Sequence, residues 1–139
     1  MPFDIDLRLT PDVRAPEVAR RSLAALRTAV GERVVEEAML LVSELVTNSV
    51  RHAALQPDQT IGLRIGSVGH MLRVEVSDPG PGFEPAVGAG PNGLGGWGLW
   101  LLDRVAARWG VSRDHGSRVW FELDAAVSHE QHPGRTRPA

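Results

Sequence analysis

The sequence contains no cysteine and no lysine. Without cysteine, the chain has neither a disulfide framework nor a zinc site built from thiolates. Without lysine, it cannot form the phosphate-binding loop G-x-x-x-x-G-K-[ST]. No apolar run approaches the length of a transmembrane helix, and residues 1–30 lack the apolar core of a signal peptide. We therefore expect a soluble, cytoplasmic protein that does not bind membranes.

The composition is typical of one globular domain. Of the 139 residues, 42% are hydrophobic, which is enough to bury a core at this length. A formal net charge of -2 gives no sign of a nucleic-acid-binding surface. Residues 128–139 are polar and contain proline. We expect a single folded domain over 1–127, followed by a disordered tail over 128–139.

Hydrophobic periodicity predicts strands where apolar and polar residues alternate, and helices where apolar residues recur every three or four positions. The predicted elements are a strand over 3–9, helices over 16–30 and 32–56, strands over 61–65 and 71–76, a helix over 97–107, and strands over 109–113 and 117–123. The glycine-rich residues 84–96 are expected to form a mobile loop. This order favours an α+β fold, a two-layer α/β sandwich with a mixed, mostly antiparallel sheet and its helices on one face.

A loop rich in glycine and proline follows the second strand of the predicted hairpin. It begins at Asp78 and continues through Pro79, Gly80, Pro81 and Gly82. Glycine permits positive φ and close approach of another group, whereas proline fixes φ and removes a donor. One interpretation is a simple tight turn, which favours these residue types. The other is a carboxylate held at the end of a sheet, beside backbone that a ligand can contact.

The long predicted helix carries a polar stripe formed by Glu44, Asn48 and His52 at intervals of four residues. This stripe is consistent with the solvent-facing side of an amphipathic helix. It is also chemically suited to phosphoryl transfer. The asparagine oxygen can coordinate Mg²⁺ among waters and phosphate oxygens, and the glutamate can accept a proton. For Arg51 and His52 we predict no defined role.

Residues 93–98 match the pattern G-x-G-x-x-G. A dinucleotide-binding fingerprint needs a strand directly before it and an acidic residue about 20 positions beyond. No strand is predicted there, and the residue 20 positions after Gly98 is Arg118. A better interpretation is that residues 96–99 open a helix, whose free N–H groups offer an anion-binding site.

Three segments in this order resemble the boxes of the GHKL (Bergerat) superfamily, the ATP-binding fold of gyrase B, Hsp90, sensor histidine kinases and MutL. Residues 43–53 resemble the N box, residues 78–83 the G1 box D-x-G-x-G-F, and residues 96–102 the G2 box G-x-G-L. Gly116 and Ser117 resemble the closing Gly-Thr, with serine in place of threonine. A single box is weak evidence, whereas three in order with suitable spacing are strong evidence.

The resemblance implies ATP and Mg²⁺ as cofactors and a role for individual residues. Glu44 would be the general base and Asn48 the Mg²⁺ ligand. Asp78 would accept a hydrogen bond from the adenine 6-amino group, Gly82 would let the base pack closely, and Ser117 would support Asp78 or a water at the base. The other residues implied to bind the nucleotide are Gly80, Gly96, Trp97, Gly98 and Leu99.

The whole chain resembles one branch of the superfamily, the small anti-sigma factors and serine kinases of the RsbW and SpoIIAB type found in actinobacteria. The resemblance implies a homodimer that holds a sigma factor inactive and phosphorylates a serine of a STAS-domain anti-sigma antagonist. The alternative is a nucleotide-gated module that binds a partner without transferring phosphate. A structural α+β domain without a ligand is a third interpretation. We expect no nucleic-acid partner.

Overall fold

The computed structural model of the chain describes residues 4–80 and 97–125, with the backbone alone for His52 and residues 97–99. The described elements are β1 (Asp4–Leu9), α1 (Ala15–Ala24), α2 (Arg27–Val30), α3 (Glu32–His52), β2 (Ile61–Val68), β3 (Met71–Asp78), α4 (Trp97–Val105), β4 (Arg108–Ser112) and β5 (Ser117–Asp124). The predicted mobile loop over 84–96, the predicted tail over 128–139, and the candidate residues Gly82 and Gly96 lie outside the described residues.

The five strands form one sheet in the order β1-β2-β3-β5-β4, and each described pairing is antiparallel. Strands β2 and β3 form the predicted hairpin, with a turn at Gly69 and His70. Strands β4 and β5 form a second hairpin, closed through Asp114, His115 and Gly116. The predicted α+β class is therefore confirmed, and the described sheet is wholly antiparallel.

The sheet has one apolar face and one polar face, as alternation along its strands requires. On β3, Leu72, Val74 and Val76 are buried, whereas Arg73 and Glu75 point to the other face. Helix α3 packs over β3 and β5, and α1 and α4 pack against α3. The core lies between the two layers, so the predicted two-layer sandwich is confirmed.

One predicted helix, over 16–30, is divided in two. Helix α1 ends at Ala24, and α2 begins at Arg27. Between them Leu26 donates to Leu23 in an i to i−3 bond, which interrupts the α-helical ladder. The break lets Arg27 turn towards α3, where it contacts Glu36 at 3.0 Å and also pairs with Glu32. No glycine or proline marks the break, so the periodicity did not predict it.

The long helix α3 ends at His52 rather than at the predicted Gln56. Ala53 is its C-cap residue, and Ala54 takes a φ of 54°, which stops the helix. An alanine in this left-handed conformation leaves no signal in the sequence, which explains the overestimated length. Among the described residues, no helix is both long enough and apolar enough to span a membrane.

Two apolar residues that the helical periodicity places towards the core are exposed. Val18 is 42% exposed and Leu40 is 46% exposed. The buried stripe of α1 instead runs through Ala15, Ala19 and Leu23, at intervals of four. Because successive helical residues are about 100° apart, Val18 lies to one side of that stripe.

Candidate functional site

The predicted carboxylate Asp78 lies at the end of β3 and faces the helical layer. Alternation places it on the same face as Val74 and Val76, because residues two apart share a face of a strand. It is only 9% exposed. A buried carboxylate needs hydrogen-bond donors to offset the loss of hydration.

Two donors reach Asp78 from two different segments. The Ser49 hydroxyl donates to Oδ2 at 2.6 Å, and the Gly80 N–H donates to Oδ1 at 2.8 Å. An ionised carboxylate offers about four lone-pair positions, so two donors leave capacity to accept more. The arrangement therefore holds the carboxylate in a fixed orientation and leaves it able to accept a hydrogen bond from a ligand amine.

Ser49 was not assigned a role from the sequence, although it lies within the segment that resembles the N box. It is 9% exposed and follows Leu45 by one helical turn on the buried side of α3. A polar residue inside an apolar helical stripe requires a hydrogen-bond partner, and that requirement is the signal that marks Ser49. The next residue of the stripe is Ala53, which also faces the end of β3.

Ala53 and Gly80 bring the end of α3 and the loop after β3 into close contact. A Cβ added to Gly80 would lie 2.7 Å from the Ala53 carbonyl oxygen and 2.9 Å from the Ala53 Cβ. Position 80 therefore requires glycine. The close approach fixes the Gly80 N–H where it donates to Asp78.

Gly116 approaches the same strand end from the β4–β5 turn. It has a φ of 104°, and a Cβ there would lie 2.4 Å from the Asp78 carbonyl oxygen. Both the conformation and the lack of space call for glycine. Ser117, the next residue, is the register partner of Asp78 and is 8% exposed. The support that Ser117 was expected to give Asp78 or a water remains a prediction.

Glu44 and Asn48 are both half-buried on α3 and lie one turn apart. Asn48 directly precedes Ser49, so the helix presents Asn48 and the partner of Asp78 at adjacent positions. Near Glu44, the Arg20 guanidinium of α1 donates to the Ser43 hydroxyl at 2.9 Å. Arg20 also bonds Glu17 at 2.6 Å, and this hydrogen bond lowers the pKa of the Glu17 carboxyl. These contacts anchor the middle of α3 to α1.

The side-chain nitrogen of Asn48 is buried and has no hydrogen-bond partner among the residues that the structure describes. Buried polar atoms are nearly always paired, so this nitrogen is available to a water or a ligand group. Rotation of the amide by 180° would place its oxygen at that position, since the two ends have the same shape. Among the described residues, no group of three or more His, Asp or Glu could hold a metal. The amide thus fits Mg²⁺ held jointly with phosphate oxygens and water.

Helix α4 begins at Trp97, as residues 96–99 predict, so Trp97, Gly98 and Leu99 form its first turn. The first backbone N–H groups of a helix have no partner within it, and they favour anions. Helix α4 packs against α3, which carries Glu44 and Asn48. The sheet end and α3 thus bring Asp78 and Ser49 into contact, with Asn48 at the preceding position of α3, and α4 adds a helix N-terminus to the same layer.

The family model described as the histidine kinase-like ATPase domain matches residues 8–123. This match covers most of the chain and includes Glu44, Asn48, Asp78 and Ser117. The chain therefore belongs to the histidine kinase-like ATPase domain family, whose members share an ATP-binding fold. The resemblance to the GHKL superfamily seen in the sequence is confirmed.

A relative and two solved structures are similar to this chain. The uncharacterized protein SCO4941 of Streptomyces coelicolor is 37% identical over 75 residues, which cover 52% of this chain and 70% of the relative. The crystal structure of the RsbU and RsbW domains of Rv1364c from Mycobacterium tuberculosis aligns with a TM-score of 0.63 and 16% identity, over 87% of this chain and 31% of that chain. The histidine kinase domain of a blue-light activated histidine kinase from Erythrobacter litoralis aligns with a TM-score of 0.56 and 22% identity, over 80% of this chain and 61% of that chain.

At these identities the two structural likenesses concern the fold. The chain spans less than two thirds of either solved chain. Together with the family match, they show an ATP-binding domain with the histidine kinase-like ATPase fold.

Proposed function

We propose that this protein is an anti-sigma factor with serine/threonine protein kinase activity. In this role it binds ATP with Mg²⁺, holds a sigma factor inactive, and phosphorylates a STAS-domain anti-sigma antagonist. The observation that carries the proposal is the buried Asp78 carboxylate, which is held by Ser49 and Gly80. Asn48, the residue before Ser49, adds a buried side-chain nitrogen with no hydrogen-bond partner among the described residues. The buried acceptor of Asp78 supports recognition of the adenine base, and the Asn48 amide on the adjacent helix supports recognition of the phosphates through Mg²⁺.

The proposed roles separate the residues that bind the adenine base from those that bind the phosphates. Asp78 accepts a hydrogen bond from the adenine amino group, Gly80 holds Asp78 through its N–H, and Gly82 lets the base approach the backbone. Asn48 supplies the amide oxygen for Mg²⁺, which neutralises phosphate charge when it is bound. The backbone N–H groups of Gly96, Trp97, Gly98 and Leu99 bind phosphate oxygens. Ser117 supports Asp78 or a water at the base.

Glu44 is proposed as the general base. It accepts the proton of the antagonist's serine hydroxyl while that oxygen forms its bond to the γ-phosphorus. The bond from the γ-phosphorus to the bridging oxygen breaks, and ADP leaves. The position of Glu44, one helical turn before Asn48, supports this role because the metal-bound phosphates would lie close to it.

A second candidate is a nucleotide-gated binding module that grips its partner without transferring phosphate. The same arrangement of Asp78 and Asn48 would serve this binding module equally well, because nucleotide binding requires no general base. The half-buried Glu44 on the nucleotide side of α3 favours the kinase, because a module without transfer has no use for it.

The first experiment measures nucleotide binding by calorimetry, with and without Mg²⁺. We expect Asp78→Ala to weaken ATP binding at least about tenfold, since a hydrogen bond to a charged group contributes roughly 1.5–3 kcal/mol. The control is Asp6→Ala, which removes an exposed carboxylate of β1. Wild-type affinity in Asp78→Ala would overturn the adenine assignment.

The second experiment incubates the protein with radiolabelled ATP and a panel of purified STAS-domain proteins from the same organism. A kinase labels a serine of one panel member, and Glu44→Ala binds ATP but transfers no label. Nucleotide-dependent binding of a partner without labelling would establish the binding module instead. Light scattering of the purified protein tests the expected homodimer.

A further inference from the structure

We infer that two copies of this chain pair through β4, so that their sheets join across a two-fold axis. The inference rests on the homodimer expected under the proposed function and names its interface. Strand β4 stands at one end of the strand order and pairs with β5 alone. Within residues 4–80 and 97–125, no strand covers its outer edge. An edge strand presents backbone N–H and C=O groups to which a further strand can bond.

The two edges of the sheet differ in their charged residues. On β1, Asp4, Asp6 and Arg8 place a charge at every second position, and charged side chains on an edge oppose pairing with another chain. On β4 the only charged residue is Arg108, whose guanidinium lies 2.8 Å from the buried carboxylate of Glu122. The charge of Arg108 is therefore compensated within the chain, and β4 is the edge suited to pairing.

The sequence of β4 is complementary to itself about Gly110. In an antiparallel pair centred on Gly110, Trp109 of one copy lies opposite Val111 of the other, and Arg108 lies opposite Ser112. Two-fold symmetry makes each of these pairs occur twice. No residue meets a like charge, and each large side chain meets a smaller one. Trp109 and Val111 are half-buried in the single chain, so pairing removes further apolar surface from water.

Trp120 of β5 adds a contact at the centre of this register. It pairs with Gly110, and its indole covers the glycine, because a Cβ at position 110 would lie 2.6 Å from Nε1 and 2.8 Å from Cε2. The half-buried indole thus extends from β5 over β4, towards the edge of the sheet. Opposed Cα atoms of an antiparallel pair are about 4.5–5.5 Å apart. Two copies of Gly110 at that separation bring the two indoles together, and aromatic pairs are stabilising.

Helix α4 extends the interface into the helical layer. It contacts both α3 and β4, so it lies on the β4 side of that layer. Pairing of two β4 strands therefore brings the two copies of α4 close to each other. A stable interface buries about 1,200–2,000 Å² in total, which is more than two five-residue strands supply by themselves. The contact between the two α4 helices is accordingly part of the proposed interface.

Because the chain contains no cysteine, disulfide cross-linking can test the register directly. Equal amounts of the full-length Arg108→Cys and Ser112→Cys variants are mixed, left to exchange subunits and oxidised. Opposed residues lie within the Cα separation of about 4.4–6.8 Å that a disulfide needs. We expect a covalent dimer in the mixture and none in either variant alone. In either variant alone, the two cysteines are offset by four residues, or about 13 Å along the strands.

Two charge substitutions at Ser112 should change dimerisation in opposite directions. Ser112→Arg places a like charge opposite Arg108 and should weaken the dimer about tenfold, since each dimer contains the pair twice. Ser112→Glu places an opposite charge there and should strengthen the dimer. Sedimentation equilibrium measures the dissociation constant of each variant. The control is Asp6→Arg, which reverses a charge on the edge formed by β1 and should leave the dissociation constant unchanged.

Three outcomes would overturn the inference. They are a covalent dimer between Asp6→Cys and Arg8→Cys in place of the β4 pair, a dimer that neither Ser112 substitution alters, and a wild-type protein that sediments as a monomer. ATP binding and phosphate transfer are measured on the same wild-type sample. If either of these activities is missing while the 108–112 cross-link forms, the proposed function is wrong and the interface stands.

Discussion

Gly80 lies directly against Ala53, so that a Cβ added to Gly80 would lie only 2.7 Å from the carbonyl oxygen of the alanine. Ala53 caps α3, and Gly80 follows β3. One close contact thus sets the distance between the helix that carries Asn48 and the strand that carries Asp78. Because both residues belong to the proposed nucleotide site, the packing of this contact determines the geometry of the site.

We expect Gly80→Ala to lower both stability and ATP affinity. The new methyl group would overlap backbone atoms of Ala53, which cannot rotate away as a side chain can. Overpacking of this kind costs about 1–3 kcal/mol. Denaturant unfolding measures the stability, and calorimetry measures the ATP affinity. Both should fall together, because the Gly80 N–H moves away from Asp78.

The control for this variant is Gly69→Ala, in the β2–β3 turn. Gly69 has a φ of 61° and no atoms within 4 Å of its added Cβ. We expect a backbone cost of about 1 kcal/mol without any change in ATP affinity. Equal losses of affinity in both variants would mean that general destabilisation, and not the Ala53 contact, is responsible.

Ser49→Ala should reduce ATP affinity although Ser49 does not contact the ligand in the proposed arrangement. The substitution removes the 2.6 Å donor of Asp78 Oδ2 and leaves a buried oxygen unpaired, at a cost of about 1–3 kcal/mol. We expect a similar fall in the free energy of unfolding and a loss of about tenfold in ATP affinity. Ser22→Ala, which removes a hydroxyl bonded to the Ala19 carbonyl on α1, should leave ATP affinity unchanged.

Ser49 illustrates what the sequence could and could not predict. Periodicity identified the long helix and the hairpin strands, because these depend on neighbours a few positions apart. The partner of Ser49 is 29 residues away, and the pairing depends on the rotation of α3 over the sheet. A period of 3.6 residues gives the relative faces of a helix but not which face meets the end of a given strand.

The ends of the helices were the other feature that the sequence predicted poorly. Gly31 ends α2 as predicted, whereas the break before Arg27 and the end of α3 were not predicted. Both occur at ordinary residues, such as Ala54, whose conformation is imposed by tertiary packing rather than by its own preference. The closing Gly116 was identified by resemblance, and its contact with Asp78 supplies the physical reason for it.

Asn48→Ala should separate function from stability. The Asn48 side-chain nitrogen has no hydrogen-bond partner among the described residues, so its removal leaves no acceptor of theirs unpaired. We expect little change in the free energy of unfolding and a loss of the difference between ATP affinities measured with and without Mg²⁺. Calorimetry with and without the metal checks this expectation. A variant that is strongly destabilised but still responds to Mg²⁺ would show that Asn48 is structural.

Glu122→Gln should have the opposite effect. It should lower the free energy of unfolding without changing ATP affinity. Glu122 is 1% exposed on the polar face of the sheet, where Arg73 and Arg108 each approach one of its carboxylate oxygens at 2.8 Å. The neutral amide leaves two guanidinium groups facing each other without the intervening charge. Hydrogen bonds to charged groups contribute about 1.5–3 kcal/mol, so we expect a loss of that order in denaturant unfolding.

The matched control for Glu122→Gln is Glu75→Gln on the same face. Glu75 is more exposed and meets Arg73 at 3.6 Å and Arg118 at 4.0 Å, so its charge is better hydrated and less strongly paired. We expect a cost below about 1 kcal/mol. ATP affinity should be unchanged in both variants, because these side chains point away from Asp78. Since Glu122 bonds β3 to β4 across β5, a loss of affinity in Glu122→Gln alone would show that this ion cluster holds the strand end that presents Asp78.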